Sequence, residues 1–297
     1  MRNDMKRRMI VNSCFCVAFV ITLAGTFASS AQAQTSRFAA AYYNRGNERY
    51  KQGDLDGAIE DYDAALTFDP RWAVAYNMRG TVRYAKGDLE ASIADYTRAI
   101  EINPRLAVAY YNRGKARRDN GELDGSVADY TRAIEIKPGL GAAYNNRGNI
   151  RRERGELDAA LADLDKAVRL ESRNAVFYNN RGLIRRQEGD LEGAIADYNR
   201  ALELNSQFAD AYSNRGNVRQ DKGDVDGSIR DYDSAIRSAP SFAKAYGNRG
   251  LAHLFKGDMV RAQKDFDQCL MLDPALKPSL QEQIDRAKQI IASGRRL

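Results

Sequence analysis

The sequence predicts an all-α fold in which seven similar helix pairs follow one another along the chain. A glycine recurs at intervals of 34 residues, at Gly46, Gly80, Gly114, Gly148, Gly182, Gly216 and Gly250. A tyrosine stands four residues before each of these glycines, and a second glycine stands seven residues after each of them. A fixed period of this length indicates a repeat protein, because each unit buries its apolar face only by stacking on its neighbours. The seven repeats, numbered 1 to 7 below, fill residues 39–276.

Each repeat is predicted to contain two helices joined by a short turn. In repeat 1 the segment 39–52 contains no proline, and Gly53 can adopt the left-handed conformation that ends a helix. Asp54 follows as an N-cap for the second helix, and Pro70 closes the repeat. Apolar residues at spacings of three and four give the second helix one apolar face: Leu55, Ala58, Ile59, Tyr62, Ala65 and Leu66.

Small residues on both helices of a repeat predict that the two backbones pack closely. We expect Gly46 and its equivalents to face the rows of small residues that begin at Ala58 and Ala65. Cys269 continues the second of these rows in repeat 7, which predicts a buried thiol. Residues 277–297 are predicted to form a C-terminal capping helix that covers repeat 7 with Leu280, Ile284, Ala287 and Ile291.

A 34-residue helix pair with these aromatic, glycine, alanine and proline positions resembles the tetratricopeptide repeat (TPR). The recurring Asn-Arg-Gly resembles a variant that is common in bacterial members of that family. The resemblance implies an α-solenoid that forms a right-handed superhelix, with the first helices lining a concave groove. It also implies that the chain binds another protein, or an extended peptide, in that groove.

Two rows of charged residues depart from the usual TPR pattern. An arginine precedes every repeat glycine and an aspartate recurs in every second helix, as in Arg45 and Asp61 of repeat 1. An arginine in a largely apolar seam is costly unless it is paired, and its planar group suits a bidentate carboxylate. We therefore predict a structural ion pair in every repeat, with a functional arginine row as the alternative. The sequence leaves open whether the partner lies in the same repeat or in the next one.

The sequence contains no arrangement that indicates catalysis. His253 is the only histidine, and it has no second histidine or nearby cysteine at metal-ligand spacing, so we predict a packed histidine. A glycine-rich phosphate loop with its lysine is missing, and the aspartates fall on positions assigned to caps and ion pairs. We therefore predict that the protein is not an enzyme and uses no cofactor and no metal.

An asparagine row stands two residues before the repeat glycine in six of the seven repeats, although asparagine is a poor residue inside a helix. If the TPR geometry holds, the row borders the concave groove, where each amide can donate to and accept from a peptide backbone. It is similar to an asparagine ladder known in the family, which holds extended polypeptides by their main chain. The alternative is that these amides support hydrogen bonds between helices. The row consists of Asn44, Asn112, Asn146, Asn180, Asn214 and Asn248.

Other positions on the same face of the first helices vary between repeats, as residues that select a ligand would. The candidates are Tyr84, Arg118, Arg152 and Arg186, and the alternative for the arginines is an ordinary solvated surface. A helical-repeat protein that binds nucleic acid is the second hypothesis for the function. Four basic residues near the N-terminus supply much of the net charge of +6, so the repeats are close to neutral and nucleic acid is not expected.

Residues 1–33 are predicted to be a secretory signal that is cleaved after Ala33. The segment has basic residues at its start, a mostly apolar stretch over residues 10–27, and Ala31-Gln32-Ala33 as the cleavage motif. The predicted location is therefore periplasmic or secreted, with no membrane span after cleavage. An uncleaved membrane anchor is the alternative, because the apolar stretch is near the lower limit for crossing a bilayer.

Overall fold

A computed structural model of the chain describes residues 34–293, so the predicted signal segment and its cleavage site lie outside the described residues. Between these limits the chain forms helices joined by turns, and it contains no strand. The chain divides into two compact units, one that ends at Ile136 and one that begins at Lys137. The N-terminal unit contains the helices of repeats 1 to 3, and the C-terminal unit contains those of repeats 4 to 7 with one further helix.

Each repeat consists of two antiparallel helices, as the sequence predicts. The first helices are α1 (34–51), α3 (Ala73–Lys86), α5 (Ala107–Asp119), α7 (Gly141–Glu153), α9 (Ala175–Gln187), α11 (Ala209–Asp221) and α13 (Ala243–Phe255). The second helices are α2 (Leu55–Phe68), α4 (Leu89–Ile102), α6 (Leu123–Ile136), α8 (Leu157–Leu170), α10 (Leu191–Leu204), α12 (Val225–Ser238) and α14 (Met259–Leu272). A 3₁₀ turn, Pro274–Leu276, then leads into α15 (Lys277–Ala292).

The turn inside each repeat follows the chemistry that the sequence indicates. The seven turn glycines have φ between +76° and +88°, the left-handed region that glycine enters without strain. In repeats 1, 5, 6 and 7 the following aspartate caps the second helix: the side chains of Asp54, Asp190, Asp224 and Asp258 accept from a backbone N–H three residues later. The predicted turn and the predicted cap at Asp54 are both confirmed.

The repeat glycine lies close to the predicted first row of small residues, as Gly46 does to Ala58, and it also packs against a large side chain of the second helix, which is a ring in six repeats and Leu164 in repeat 4. A Cβ on Gly182 would lie 2.8 Å from the ring of Tyr198, which is fully buried in the second helix. The second small row, which begins at Ala65, also joins repeats: Ala99 on α4 packs against Ala73 of its own repeat and Ala109 of the next one. The glycine therefore makes room for a ring within the repeat, while the alanines bring consecutive repeats together.

A buried aspartate binds the arginine that precedes the repeat glycine in all seven repeats. The arginine Nε lies 2.8–3.0 Å from the carboxylate and its Nη2 lies 2.5–2.7 Å from it. These aspartates are only 2–5% exposed. The predicted structural ion pair is confirmed, and the partner lies in the same repeat.

Repeat 5 shows how this pair connects further groups. A second arginine row stands three residues after the repeat glycine in repeats 1 to 6, and Nη1 of its member Arg185 donates to the carboxylate of Asp197 at 2.9 Å. Nη1 of Arg181 reaches back to Asp165 of the preceding repeat at 2.8 Å, and its guanidinium lies 5.5 Å from the ring centre of Tyr178. Burial alone would lower the pKa of Arg181, but its hydrogen bonds to Asp197 and Asp165 raise it overall. One buried carboxylate thus fixes two arginines, one of which also holds the neighbouring repeat.

Repeat 7 and α15 confirm most of the predictions made for the C-terminal end. Cys269 is buried, which raises the pKa of its thiol, and His253 is 8% exposed, which lowers the pKa of its imidazole. Leu280 and Ala287 of α15 are buried in the apolar cluster of repeat 7, and Ile284 packs on its edge. The prediction for Ile291 was wrong, because this residue is 44% exposed on the outer side of α15.

No helix within residues 34–293 is both long enough and apolar enough to span a bilayer.

Replacing Asp197 by Ala should lower the free energy of unfolding by about 3–5 kcal/mol, because two arginines then lose their buried carboxylate. Replacing Asp165 by Ala should cost less than about 1 kcal/mol, because this aspartate is a solvent-accessible partner of Arg181. Denaturant unfolding of the two variants checks the difference. Equal losses would contradict the assignment of the buried carboxylate as the centre of the repeat.

Candidate functional site

An open groove follows the first helices of the C-terminal unit. Its narrower part, called the slot below, has a volume of about 450 Å³ and is lined by Arg152, Leu183, Arg186, Gln187 and Asp221. Its wider part has a volume of about 1000 Å³ and shares Arg186 and Asp221 with the slot. The wider part is bounded by α13 through Leu251 and Phe255, and by α15 through Arg286, Ala287 and Ile290. Together these two parts are called the C-terminal groove.

A hydrogen-bonded chain of asparagine side chains connects the first helices of repeats 4 to 6. Nδ2 of Asn214 donates to Oδ1 of Asn179 at 2.9 Å, and Nδ2 of Asn180 donates to Oδ1 of Asn145 at 2.9 Å. Within each helix the amides are also joined, Asn179 to Asn180 at 3.4 Å and Asn145 to Asn146 at 3.1 Å. The alternative role considered for the asparagine row, hydrogen bonding between helices, therefore occurs in this unit.

The other members of the row have similar or weaker partners. Nδ2 of Asn112 donates to Oδ1 of Asn77 at 3.1 Å in the N-terminal unit. Nδ2 of Asn248 lies 3.1 Å from Oδ1 of Asn217 and 3.5 Å from Oγ of Ser213 in the C-terminal unit. Asn44, in the first described helix, is exposed.

The hydrogen-bonded asparagines of repeats 4 to 6, called the asparagine ladder below, lie on the same helix face as the slot. On α9, Asn180, Leu183 and Gln187 are spaced by three and four residues, which places them on one stripe. Asn145 and Asn179 are buried, whereas Asn180 remains half-buried. The buried amides use their hydrogen bonds within the protein, and the outer amide of the pair keeps one N–H that its described contacts do not use.

In repeats 2 and 5 the side chain four residues after the repeat glycine pairs with an acid in the next repeat. Nε of Arg186 donates to Oδ2 of Asp221 at 2.7 Å in the C-terminal unit. In the N-terminal unit the hydroxyl of Tyr84 donates to Asp119, and Nζ of Lys115 lies 4.8 Å from the centre of the Tyr84 ring. Burial raises the pKa of Tyr84, and the hydrogen bond to Asp119 acts in the same direction.

Arg152 occupies the same position but does not have an acid opposite it. The residue 35 positions later is Gln187, and the Arg152 Nη2 lies 4.0 Å from Oε1 of Glu153, too far for a hydrogen bond. The Nε of Arg152 is buried and has no hydrogen-bond partner among the described residues.

The structure thus brings together some of the predicted site residues and separates others. Arg152 and Arg186 line one slot, on the same face as Asn180. Four of the other candidates belong to the N-terminal unit: Asn44, Tyr84, Asn112 and Arg118. Sequence reasoning missed Leu183 and Gln187, which complete the slot, because the first helices carry no repeated signal at these positions. No group of three metal-binding side chains occurs in the described part of the chain.

Solved structures with the same repeat fold are similar to this chain. A chain of the APC/C hetero-tetramer Cut9–Hcn1 matches 86% of this chain with a TM-score of 0.69 and 17% identity. This chain spans about half of that protein, 52% of its length. A tetratricopeptide repeat protein from Parabacteroides merdae matches 85% of this chain, and 99% of its own length is covered, with a TM-score of 0.67 and 18% identity. These likenesses show the fold.

YrrB, described as a TPR protein with an unusual peptide-binding site, is also similar in fold. The match covers 65% of this chain and 97% of YrrB, with a TM-score of 0.51 and 23% identity. Comparison with curated proteins finds no match.

Family models identify the repeats directly. Models of the tetratricopeptide repeat match residues 39–71, 107–139 and 213–274. A further TPR repeat model matches residues 80–117, 148–185 and 182–223. The matches extend over most of the region in which the 34-residue period occurs, and they agree with the helix pairs of the structure. The chain therefore belongs to the tetratricopeptide repeat family.

Proposed function

We propose that this protein is an exported, non-catalytic scaffold that binds a segment of another polypeptide along the first-helix face of its repeats. The observation that carries the proposal is the C-terminal groove, whose slot and wider part share Arg186 and Asp221 in their walls. The groove is open along its length and contains both charged and apolar side chains. Such a surface suits an extended chain, which offers backbone hydrogen-bonding groups and side chains at regular intervals.

The asparagine ladder supports main-chain binding in this proposal. Several outer amides are fixed by an asparagine of the neighbouring repeat, as Asn180 is by Asn145 and Asn214 is by Asn179. A fixed amide loses little conformational freedom when it binds a ligand, which favours affinity. The N–H that Asn180 retains is on the face of the slot and would donate to a peptide carbonyl. YrrB, which shares the fold, is described as having a peptide-binding site.

Exposed valines on the first helices add apolar contacts beside the ladder. Val176 is 47% exposed and stands four residues before Asn180 on α9. In the N-terminal unit Val74 and Val108 occupy the same position and are 40% and 45% exposed. This spacing places each valine on the same helix face as the ladder, where it would pack against ligand side chains.

We propose export because of the sequence of residues 1–33, which precede the described part of the chain. Their basic start, apolar stretch and Ala31-Gln32-Ala33 motif are those of a secretory signal. The scaffold would then act in the periplasm or outside the cell, on proteins of the envelope or on secreted proteins.

A photo-crosslinking residue in the groove should capture peptides, and one on the outer side of the same repeat should not. The groove position is Gln187, and the matched control is Glu203 on α10, whose side chain is 63% exposed. The full chain is irradiated with a set of unstructured twelve-residue peptides, and the crosslinked products are counted by mass spectrometry. Equal capture at the two positions, or capture at neither, would contradict the proposal.

Replacing Asn180 by Ala should affect both stability and binding. The buried Oδ1 of Asn145 loses its donor, which should lower the free energy of unfolding by about 1–3 kcal/mol. The same change should weaken all bound peptides by a similar factor, roughly 1 kcal/mol per lost hydrogen bond. Asn44→Ala is the control for stability, because Asn44 is exposed and should change the free energy of unfolding by less than about 0.5 kcal/mol. If Asn180→Ala loses stability but binds every peptide as the parent does, the ladder is structural only.

The export proposal predicts that the native protein begins at Gln34. Intact mass spectrometry of protein purified from its source cells, together with cell fractionation, measures this directly. A chain that retains residues 1–33 in the membrane fraction would overturn cleavage and favour an anchored scaffold.

A further inference from the structure

Arg152 differs from its equivalents in neighbouring repeats by what stands opposite it. Tyr84 and Arg186, at the same position, each bind an aspartate that lies 35 residues later, Asp119 and Asp221. Opposite Arg152 this position is the neutral Gln187. Arg152 is therefore an arginine of this row that has no carboxylate at the matching position of the next repeat.

Two buried donors in this region have no acceptor among the described residues. One is the Nε of Arg152 and the other is the hydroxyl of Tyr198, which belongs to repeat 5 and is fully buried. Burial raises the pKa of Tyr198, the charges of Arg186 and Arg152 oppose that rise, and the charges of Asp197 and Asp221 add to it. Buried donors without partners are costly and rare in proteins, so each one requires an explanation.

The charge of the slot favours an anionic group as the partner of Arg152. Its lining contains two cations, Arg152 and Arg186, and one anion, Asp221, which already accepts from Arg186 at 2.7 Å. Glu153 lies near Arg152 but only at 4.0 Å, and its side chain is 41% exposed to solvent. A guanidinium binds carboxylates in a planar, often bidentate arrangement, and the Arg152 Nε is one of the donors that such an arrangement uses.

We propose that the slot is a carboxylate-binding site, in which Arg152 binds an acidic group of the polypeptide held in the C-terminal groove. This inference rests on the proposed function and adds the ligand chemistry to it. The carboxylate comes from an Asp or Glu side chain or from the C-terminus of the ligand. Leu183 and Gln187 form the neighbouring wall, which contacts the residue that carries the acid.

The test uses an array of unstructured twelve-residue peptides in three forms. The first form carries two central Glu residues and a blocked C-terminus, the second has Gln at these positions, and the third is the Gln form with a free C-terminal carboxylate. The parent protein should bind the Glu form or the free-carboxylate form about ten times more tightly than the blocked Gln form. This preference should decrease as the salt concentration rises.

Two variants assign the preference to Arg152. Arg152→Gln removes the cation, and Gln187→Glu keeps it but supplies the internal partner that Arg186 has in Asp221. Each variant should abolish the preference for a carboxylate, so that the three peptide forms bind with the same affinity. Arg200→Gln removes the same charge from α10, where Arg200 is exposed and pairs with Glu203 outside the slot, and it should keep the full preference.

The outcomes separate this inference from the function on which it rests. If the parent binds peptides but does not distinguish the three forms, or if Arg152→Gln retains the preference, the carboxylate site is wrong and the peptide groove stands. If the parent binds none of the peptides, the proposed function itself fails. If only the free-carboxylate form is preferred, the site recognises a chain end; if only the Glu form is preferred, it recognises an acidic side chain.

Discussion

The buried aspartate of each second helix is the group on which the rest of the repeat depends. A carboxylate that is almost inaccessible to water must be neutralised, and in repeats 1 to 6 two arginines of the first helix do this, as Arg181 and Arg185 do at Asp197. Because the arginine Nε and Nη2 both reach it, the two helices are fixed in register along their axes as well as in distance. The third guanidinium nitrogen of Arg181 reaches the preceding repeat, so the same group also orients repeat 5 on its neighbour.

This constraint determines what the first helices can present on their outer face. With the arginine turned toward the second helix, the residue just before it, such as Asn180, is turned toward the neighbouring first helix. The amides then form a row that is the same in successive repeats, while the positions around it are free to vary. The recurring amides suit the main chain, which is the same in every peptide ligand. The variable residues, such as Arg152 and Gln187, suit the ligand's side chains. The structural pair and the proposed binding face are therefore two consequences of one arrangement.

Much of this could be predicted from the sequence, because the period of 34 residues places every glycine, cap and ion pair at a fixed offset. Arg45 and Asp61 were recognisable as partners because neither residue is suited to an apolar seam alone.

Other features depend on side-chain direction, which periodicity does not give. The second arginine row joins the same carboxylate, as Arg185 does at Asp197, and the repeat glycine faces a tyrosine ring. Ile291 has the spacing of an apolar face but is 44% exposed. The sequence shows that Asn145 and Asn179 each precede an asparagine of the row. Only the structure shows that each of them accepts a hydrogen bond from the next first helix.

The most direct measurement of the central claim, that the first-helix face holds polypeptide, is amide hydrogen exchange of the full chain with and without a peptide captured at the groove. The account predicts that exchange slows in α9 and α11 and along the side of α15 that bounds the groove. The second helices α8, α10 and α12 should exchange at the same rate in both states, except where global stabilisation slows all amides equally. Slower exchange confined to the second helices, or no change anywhere at a saturating peptide concentration, would contradict the account.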